Sequence, residues 1–296
     1  MRSQRLTFFA LATTLGLTLT ACGGESGTSA ENPADDGVVT IGVVGENSTH
    51  EALQQVAEEN GVTVEYVSFS DYQQPNPALS SGEIDLNWFQ HPAFLADYNN
   101  NAEDTITPVG STSIYPLGLY SEEYTSLDQF QEGDTVAVPN DSINLSRGLL
   151  VLEEAGLIRF TSETTAPTEF DIDEENSTVS VTPVSAEQTV LSLDSVQGSI
   201  VNNDFLADAG LEADDALFED GADSEGARAY VNLFAAQEQW AEDETLQQVA
   251  GFYHDPAVLE AEANETDGTA VPLQLEQQEL EDITTRYAED LQGQSE

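Results

Sequence analysis

The chain contains no lysine, and its 296 residues include only six arginines, three histidines and one cysteine. Each scarcity excludes something. Without clustered Lys and Arg there is nothing to neutralise a phosphate backbone, so nucleic acid is not a partner. A lone cysteine, Cys22, rules out an intramolecular disulfide. His50, His91 and His254 stand too far apart for any zinc-motif spacing, so no metal is expected. The sequence also lacks a P-loop, a dinucleotide fingerprint and a nucleophile elbow; no cofactor is expected. The one sustained apolar run, Leu6 to Leu19, is too short and wrongly flanked to cross a membrane.

What the chain has in excess is acid: 56 Asp and Glu residues, for a formal net charge of −50. So high a charge can signal disorder, but 39% of the residues are hydrophobic and fall in regular patterns, which confines disorder to the termini. The better account is a surface adapted to molar salt, where the Debye length falls to about 3 Å and mutual repulsion is screened. A halophilic bacterial source follows. With so many carboxylates, a pair such as Glu83 and Asp85 says nothing about acid–base catalysis, and the chain is read as a non-enzyme.

The N-terminus explains part of the pattern. Arg2 and Arg5, then Leu6 to Leu19, then Thr20-Ala21-Cys22 make a charged region, a short apolar core and a small-residue cleavage site. Leu19-Thr20-Ala21-Cys22 resembles the bacterial lipobox. Residues 1–21 are therefore read as a lipoprotein signal peptide, with Cys22 lipidated and anchoring the chain to the extracytoplasmic face of the cell membrane. Residues 22–37, rich in Gly, Ser, Glu, Asn and Pro, form a disordered tether.

From Val38 onward strands and helices alternate. Val38 to Val44, Val62 to Phe69 and Ile84 to Phe89 read as strands; His50 to Glu59 and Pro92 to Asn99 read as helices. An extended run from Thr107 to Leu119 breaks at Pro116. A second series begins near Ser126 and includes strand Thr135 to Val138, helix Asn144 to Glu154, an acidic loop over Thr161 to Asn176, strand Val179 to Pro183 and strand Ser199 to Asn202. Ala229 to Ala235 is a strand, followed by helices, the last and most acidic over Leu275 to Leu291. Such alternation predicts an α/β fold with mainly parallel strands, and two series predict two lobes.

Three groups of residues carry chemistry. Tyr72, Trp88, Phe89 and His91 gather where predicted strands end, the place where ligands sit in open α/β sheets. Arg147 follows the turn Pro139-Asn140-Asp141 on the first turn of a helix, where it can either grip a carboxylate or pair with one of many nearby acids. Strands ending in Ile200-Val201-Asn202-Asn203 and Tyr230-Val231-Asn232 offer amides that are either turn formers and caps or polar contacts for a zwitterion.

The blocks FSDYQQPNPALSSGEIDLNWFQHPAFL, VGSTSIYPLGLYS, TVAVPNDSINLSRGLLVLEEAGLI, SIVNNDF and AYVNLF resemble, in the same order, the NlpA/MetQ family of methionine-binding lipoproteins, over about Val38 to Ala261. The resemblance implies a periplasmic-binding-protein fold, type II-like, with two α/β lobes joined by a two-crossover hinge. Lobe 1 would be residues 38–120 plus 229–296, and lobe 2 residues 121–228. It further implies capture of L-methionine for an ABC importer whose permease and ATPase subunits are separate chains. By position, Tyr72, Phe89, His91 and Tyr115 would line the side-chain pocket, Arg147 would hold the carboxylate, and Asn144, Asn202 and Asn232 would contact the amino-acid backbone. The chain departs from the family in lacking lysine, in Trp88, which could alter ligand size, and in a longer tail beyond Glu262. Alternatives are a receptor for another apolar amino acid or a methionine-containing dipeptide, and, more remotely, a structural surface lipoprotein or a hydrolase.

Overall fold

A computed structural model describes residues 37–222 and 225–294. Eleven strands and nine α-helices are named along these residues, and they build two sheets. The first half of the chain runs β1 (Val38–Val44), α1 (Ser48–Glu59), β2 (Thr63–Phe69), α2 (Pro75–Ser81), β3 (Leu86–Gln90), α3 (Pro92–Ala102), β4 (Ile106–Ile114), β5 (Gly118–Tyr120), β6 (Asp134–Pro139) and α4 (Ser142–Glu154). It continues with β7 (Val179–Val184), α5 (Ala186–Ser192), β8 (Gly198–Val201), α6 (Leu206–Ala209), β9 (Phe218–Glu219), β10 (Val231–Gln237), α7 (Glu244–Gly251), α8 (Pro256–Glu265), β11 (Val271–Pro272) and α9 (Gln277–Gln294).

The elements start where local chemistry starts them. Asn47 caps α1 by accepting from Thr49 N at 3.1 Å and His50 N at 3.3 Å, while His50 Nδ1 accepts from Asn47 N at 3.1 Å, a reciprocal capping box. His91 caps α3 through Nδ1, which accepts from Phe94 N at 3.2 Å, with Pro92 at the first helical position. Asp141 caps α4 by accepting from Asn144 N at 2.9 Å. Gly45 takes a φ of 73° where the chain leaves β1, a conformation that L side chains rarely adopt.

The first sheet has the order β11-β4-β10-β3-β1-β2 and the second β7-β6-β8-β5-β9. The expectation of mainly parallel strands holds only at the heart of each sheet. β1 pairs in parallel with β2 and β3, and β6 in parallel with β7 and β8. β10, β11, β5 and β9 run antiparallel to their neighbours. β5 and β10 are the strands by which the chain enters a sheet from the other one, with no α-helix between them and the strand before, so no βαβ crossover sets them parallel to their neighbours.

The chain passes from the first sheet to the second between Ile114 and Gly118, and back between Glu219 and Val231. Gly118–Tyr120, expected with the first lobe, belongs to the second sheet, where Leu119 pairs with Ile200 and Phe218. Pro116 marks the crossing because it cannot donate to either ladder.

Both faces of the first sheet are covered. Val39, Ile41, Leu53, Leu246 and Tyr253 pack on one side, and Leu79, Leu95, Ile114, Leu233 and Leu280 on the other. Leu119, Val136, Leu149, Leu152 and Ile200 form the core of the second. A further apolar cluster joins Val44, Tyr72 and Phe89 of the first lobe to Tyr120, Val201 and Phe205 of the second. The C-terminal helix α9 is integral to this packing: Leu280 is fully buried, and Asn100 Nδ2 donates to Ala288 O at 3.0 Å. No helix among the described residues is long and apolar enough to cross a membrane.

Candidate functional site

The carboxyl ends of β2, β3, β6 and β8 converge between the two sheets. Tyr72 lies just beyond β2, His91 immediately after β3, and Tyr115 immediately after β4 on the crossing segment. Asn144 and Arg147 stand on the first turns of α4, and Asn202 directly follows β8. Asn232 sits in β10 where its pairing with β4 slips, Val231 opposing Ile114 but Leu233 opposing Ser111. Irregularities of this kind re-aim a side chain.

All eight residues singled out as solute contacts, Tyr72, Phe89, His91, Tyr115, Asn144, Arg147, Asn202 and Asn232, line one cleft.

One wall is aromatic. Tyr72 has its ring centroid 5.9 Å from Phe89, 6.1 Å from Phe94 and 5.2 Å from Phe205. His91 is buried, and desolvation with the nearby Arg147 charge holds its imidazole down to about 3. It is neutral at physiological pH. Since Nδ1 accepts from Phe94, the proton sits on Nε2, a donor available to the cleft. The Tyr72 hydroxyl, held well above its usual range by burial and then by Asp204, donates to Asp204 Oδ2 at 2.6 Å, linking the first lobe to the second. Asp204 is exposed as a residue, yet its carboxylate meets Tyr72, and desolvation pushes it up to about 6.

The other wall is polar. Arg147 is 6% exposed. Its Nε donates to Asp220 Oδ2 at 2.6 Å, and Nη2 donates to Asp220 Oδ1 at 3.0 Å and to Tyr115 O at 2.9 Å. Its guanidinium carbon lies 4.4 Å from the Tyr230 ring centre. The ion-pair alternative is thus realised, but it occupies one edge of the fork. Nη1 has no hydrogen-bond partner among the described residues, so a pre-oriented charged donor remains. Asn144 is tied on both sides: Nδ2 donates to Asp141 Oδ1 at 3.0 Å, and Oδ1 accepts from Asn202 Nδ2 at 3.0 Å. Asn202 Oδ1 and Asn232 Oδ1 are buried acceptors without a partner. A buried unpaired carbonyl is costly, and both lie in the lining of the cleft.

Sequence reasoning missed Phe94, Gln90, Tyr230 and Asp204, which share the lining, and Asp220, which aligns Arg147. Gln90 stands between Phe89 and His91, and Phe94 follows three residues after His91, so proximity could have found them. Asp220 sits among many acids and carries no local signal. Trp88, suspected of altering ligand size, does not line this cleft; it packs against His50 at 4.6 Å and Phe234 at 4.8 Å on the far side of β3.

The model of the NlpA lipoprotein family matches residues 38–274. The chain belongs to the NlpA lipoprotein family. It is 35% identical over 273 residues to the D-methionine-binding lipoprotein MetQ of Salmonella typhi, covering 90% of this chain and 97% of that protein. Among solved structures, the methionine-binding protein MetQ aligns with a TM-score of 0.76 at 34% identity, over 82% of this chain and all of that one. A nutrient-binding protein from Burkholderia cenocepacia bound to methionine aligns with a TM-score of 0.73 at 30% identity, over 79% of this chain and 99% of that one. The fold is accordingly of the periplasmic-binding-protein type, two α/β lobes with a double crossing. The family match ends at residue 274, so α9 lies beyond it.

Proposed function

We propose that this chain is a lipid-anchored extracytoplasmic receptor that captures methionine between its two lobes and delivers it to an ABC importer. The observation that carries the reading is one cleft bearing three features at once: an arginine edge without a partner, the unpaired amide oxygen of Asn202, and aromatic walls. These match the carboxylate, ammonium and apolar side chain of a zwitterionic amino acid. Arg147 Nη1 takes the carboxylate, Asn202 Oδ1 accepts from the ammonium, and Asn232 Nδ2 donates to the carboxylate. Tyr72, Phe89, Phe94, Tyr115 and His91 surround the thioether, each sulfur–aromatic contact contributing roughly 0.3–1.5 kcal/mol. Such a set binds and orients without chemical change.

Both lobes contribute, so a solute touching both favours the closed arrangement by its differential affinity. Each lobe follows its sheet: one from residue 38 to the Pro116 segment plus the chain from 231 onward, the other between. Cys22 and the leader lie outside the described residues; the anchor rests on the lipobox resemblance and on relatives named as lipoproteins. The halophilic source rests on the charge alone.

The test is the melting temperature of the purified protein in molar NaCl against a panel of amino acids, both methionine enantiomers and methionine dipeptides, with mass spectrometry of copurified ligand. A receptor gains stability as RT ln(1 + [L]/Kd). A shift with methionine sustains the reading, a shift with another solute moves the specificity, and no shift with no copurified ligand refutes it.

A further inference from the structure

Behind the solute cleft lies a smaller cavity whose lining includes Thr49 and His50 of α1, Trp88 of β3, Asn232 of β10, Glu262 of α8, and Asp204. A water-sized sphere can move its centre through ≈ 20 Å³ there, above the roughly 10–15 Å³ that one water or small ion needs. Glu262 is 3% exposed, a position where a carboxylate seldom goes unpaired. Its Oε1 has no hydrogen-bond partner, nor does Oγ1 of Thr49, itself 1% exposed, nor Oδ1 of Asn232. Three orphaned oxygens thus belong to residues lining one enclosure.

Charge makes the arrangement more pointed. No arginine lines the cavity, and the chain has no lysine. Arg147 is committed to Asp220, and Arg228 pairs with Glu279. His50 supplies no charge: burial lowers its imidazole to about 4, and Nδ1 is taken by the Asn47 N–H. Asp204 adds a second carboxylate to the lining. Burial is the largest influence on the Glu262 carboxyl and raises it, so a proton competes with a cation for this group; no hydrogen bond of good geometry closes on Oε1. Neutral donors do not cancel a buried charge.

We propose that this cavity is a site for one sodium ion, held by Glu262 Oε1, Thr49 Oγ1 and Asn232 Oδ1. An all-oxygen donor set selects a hard cation. Asp204 is already bonded by the Tyr72 hydroxyl, so Glu262 is the one carboxylate of the lining with a buried oxygen left unpartnered, and it matches a charge of +1, whereas calcium takes six to eight oxygens, several of them usually carboxylates. A water molecule there can satisfy the orphaned acceptors but leaves the charge uncompensated.

The site also reaches the solute. Asn232 lines both cavities, as do Tyr115 and Asp204. With its Oδ1 held by the ion, Asn232 presents its Nδ2 to the solute carboxylate, so sodium raises solute affinity; this coupling rests on the methionine reading, whereas the ion site does not.

The experiment compares melting midpoints of the solute-free protein in NaCl and in choline chloride of equal ionic strength, for wild type, Glu262→Gln and Thr49→Val. At sodium about ten times its dissociation constant, the wild type should melt roughly 3 °C higher in sodium. That difference should vanish in Glu262→Gln and shrink in Thr49→Val. Equal midpoints in the two salts overturn the site. So does a difference that survives both substitutions, since it then belongs to the surface acids. If Glu262→Gln does not fold, Thr49→Val decides alone. Calorimetric titration of methionine in the two salts tests the coupling: a sodium-dependent midpoint with salt-independent affinity keeps the ion and refutes the coupling, and failure of methionine to bind in either salt refutes the methionine reading while the ion stands.

Discussion

Replacing Arg147 by Ala separates the two jobs this side chain performs. It makes two hydrogen bonds to Asp220, one to Tyr115 O, and a face contact with Tyr230. Asp220 keeps 22% side-chain exposure, so water partly replaces what it loses, and its orphaning costs about 1–3 kcal/mol. The lost cation–π contact adds about 1 kcal/mol. In the bound state the solute carboxylate loses its only charged donor. Truncating one partner of a buried charge pair costs about 2–5 kcal/mol, or roughly 30-fold to several-thousandfold in affinity at 1.4 kcal/mol per tenfold. The assay is calorimetric titration with methionine in molar NaCl, well below the variant's own melting midpoint. A dissociation constant within threefold of wild type, in a variant shown to be folded, would falsify the assignment of Arg147 to the carboxylate. Lysine at this position should recover little, because it keeps the charge but lacks the planar fork that Asp220 aligns.

Two further outcomes follow from the same geometry. Tyr72→Phe removes the hydroxyl that donates to Asp204 across the lobes, and should weaken methionine binding by about 1 kcal/mol, roughly fivefold, with the solute-free midpoint nearly unchanged; unaltered affinity would remove the bond from the closing mechanism. His50 and His91 are held neutral, down to about 4 and about 3, so the unfolded chain binds protons that the fold does not. Their stabilisation is complete above pH 6.5 and is lost as pH falls through the window down to those values, by about 1.4 kcal/mol per pH unit for each histidine. Denaturant titrations at fixed molar salt between pH 7 and 5 should therefore show a gentler slope in His50→Gln than in wild type, and identical slopes would mean that His50 is not desolvated in the fold.

Much of the site was legible in the sequence because it is local. The turn after each strand, the cap that follows it and the aromatic or amide at the strand end lie within a few residues of one another, and those short blocks also carry the family resemblance. Val38–Val44 announced itself by the apolar run that both faces of a buried sheet require, and the strands expected over Ile84 to Phe89 and Ala229 to Ala235 appear a few residues shifted, at Leu86–Gln90 and Val231–Gln237. What the sequence determined by itself was this inventory: most of the strands and helices, the eight lining residues by way of the family resemblance, and the extreme negative charge.

Tertiary structure decided the rest. Strand direction was one such matter, since parallel and antiparallel neighbours share the same alternation. The short strands Phe218–Glu219 and Val271–Pro272 have no pattern of their own and exist only because β5 and β4 offer them an edge. Asp220 meets Arg147 across 73 positions of sequence, chosen from among 56 acids by the hinge that carries the chain back to the first sheet. Trp88 and Phe89 are adjacent in a strand, yet only the assembled sheet puts Phe89 in the lining of the solute cleft and keeps Trp88 out of it. Periodicity is written within a few residues, whereas partners are selected by folding over distances at which the sequence carries no local signal.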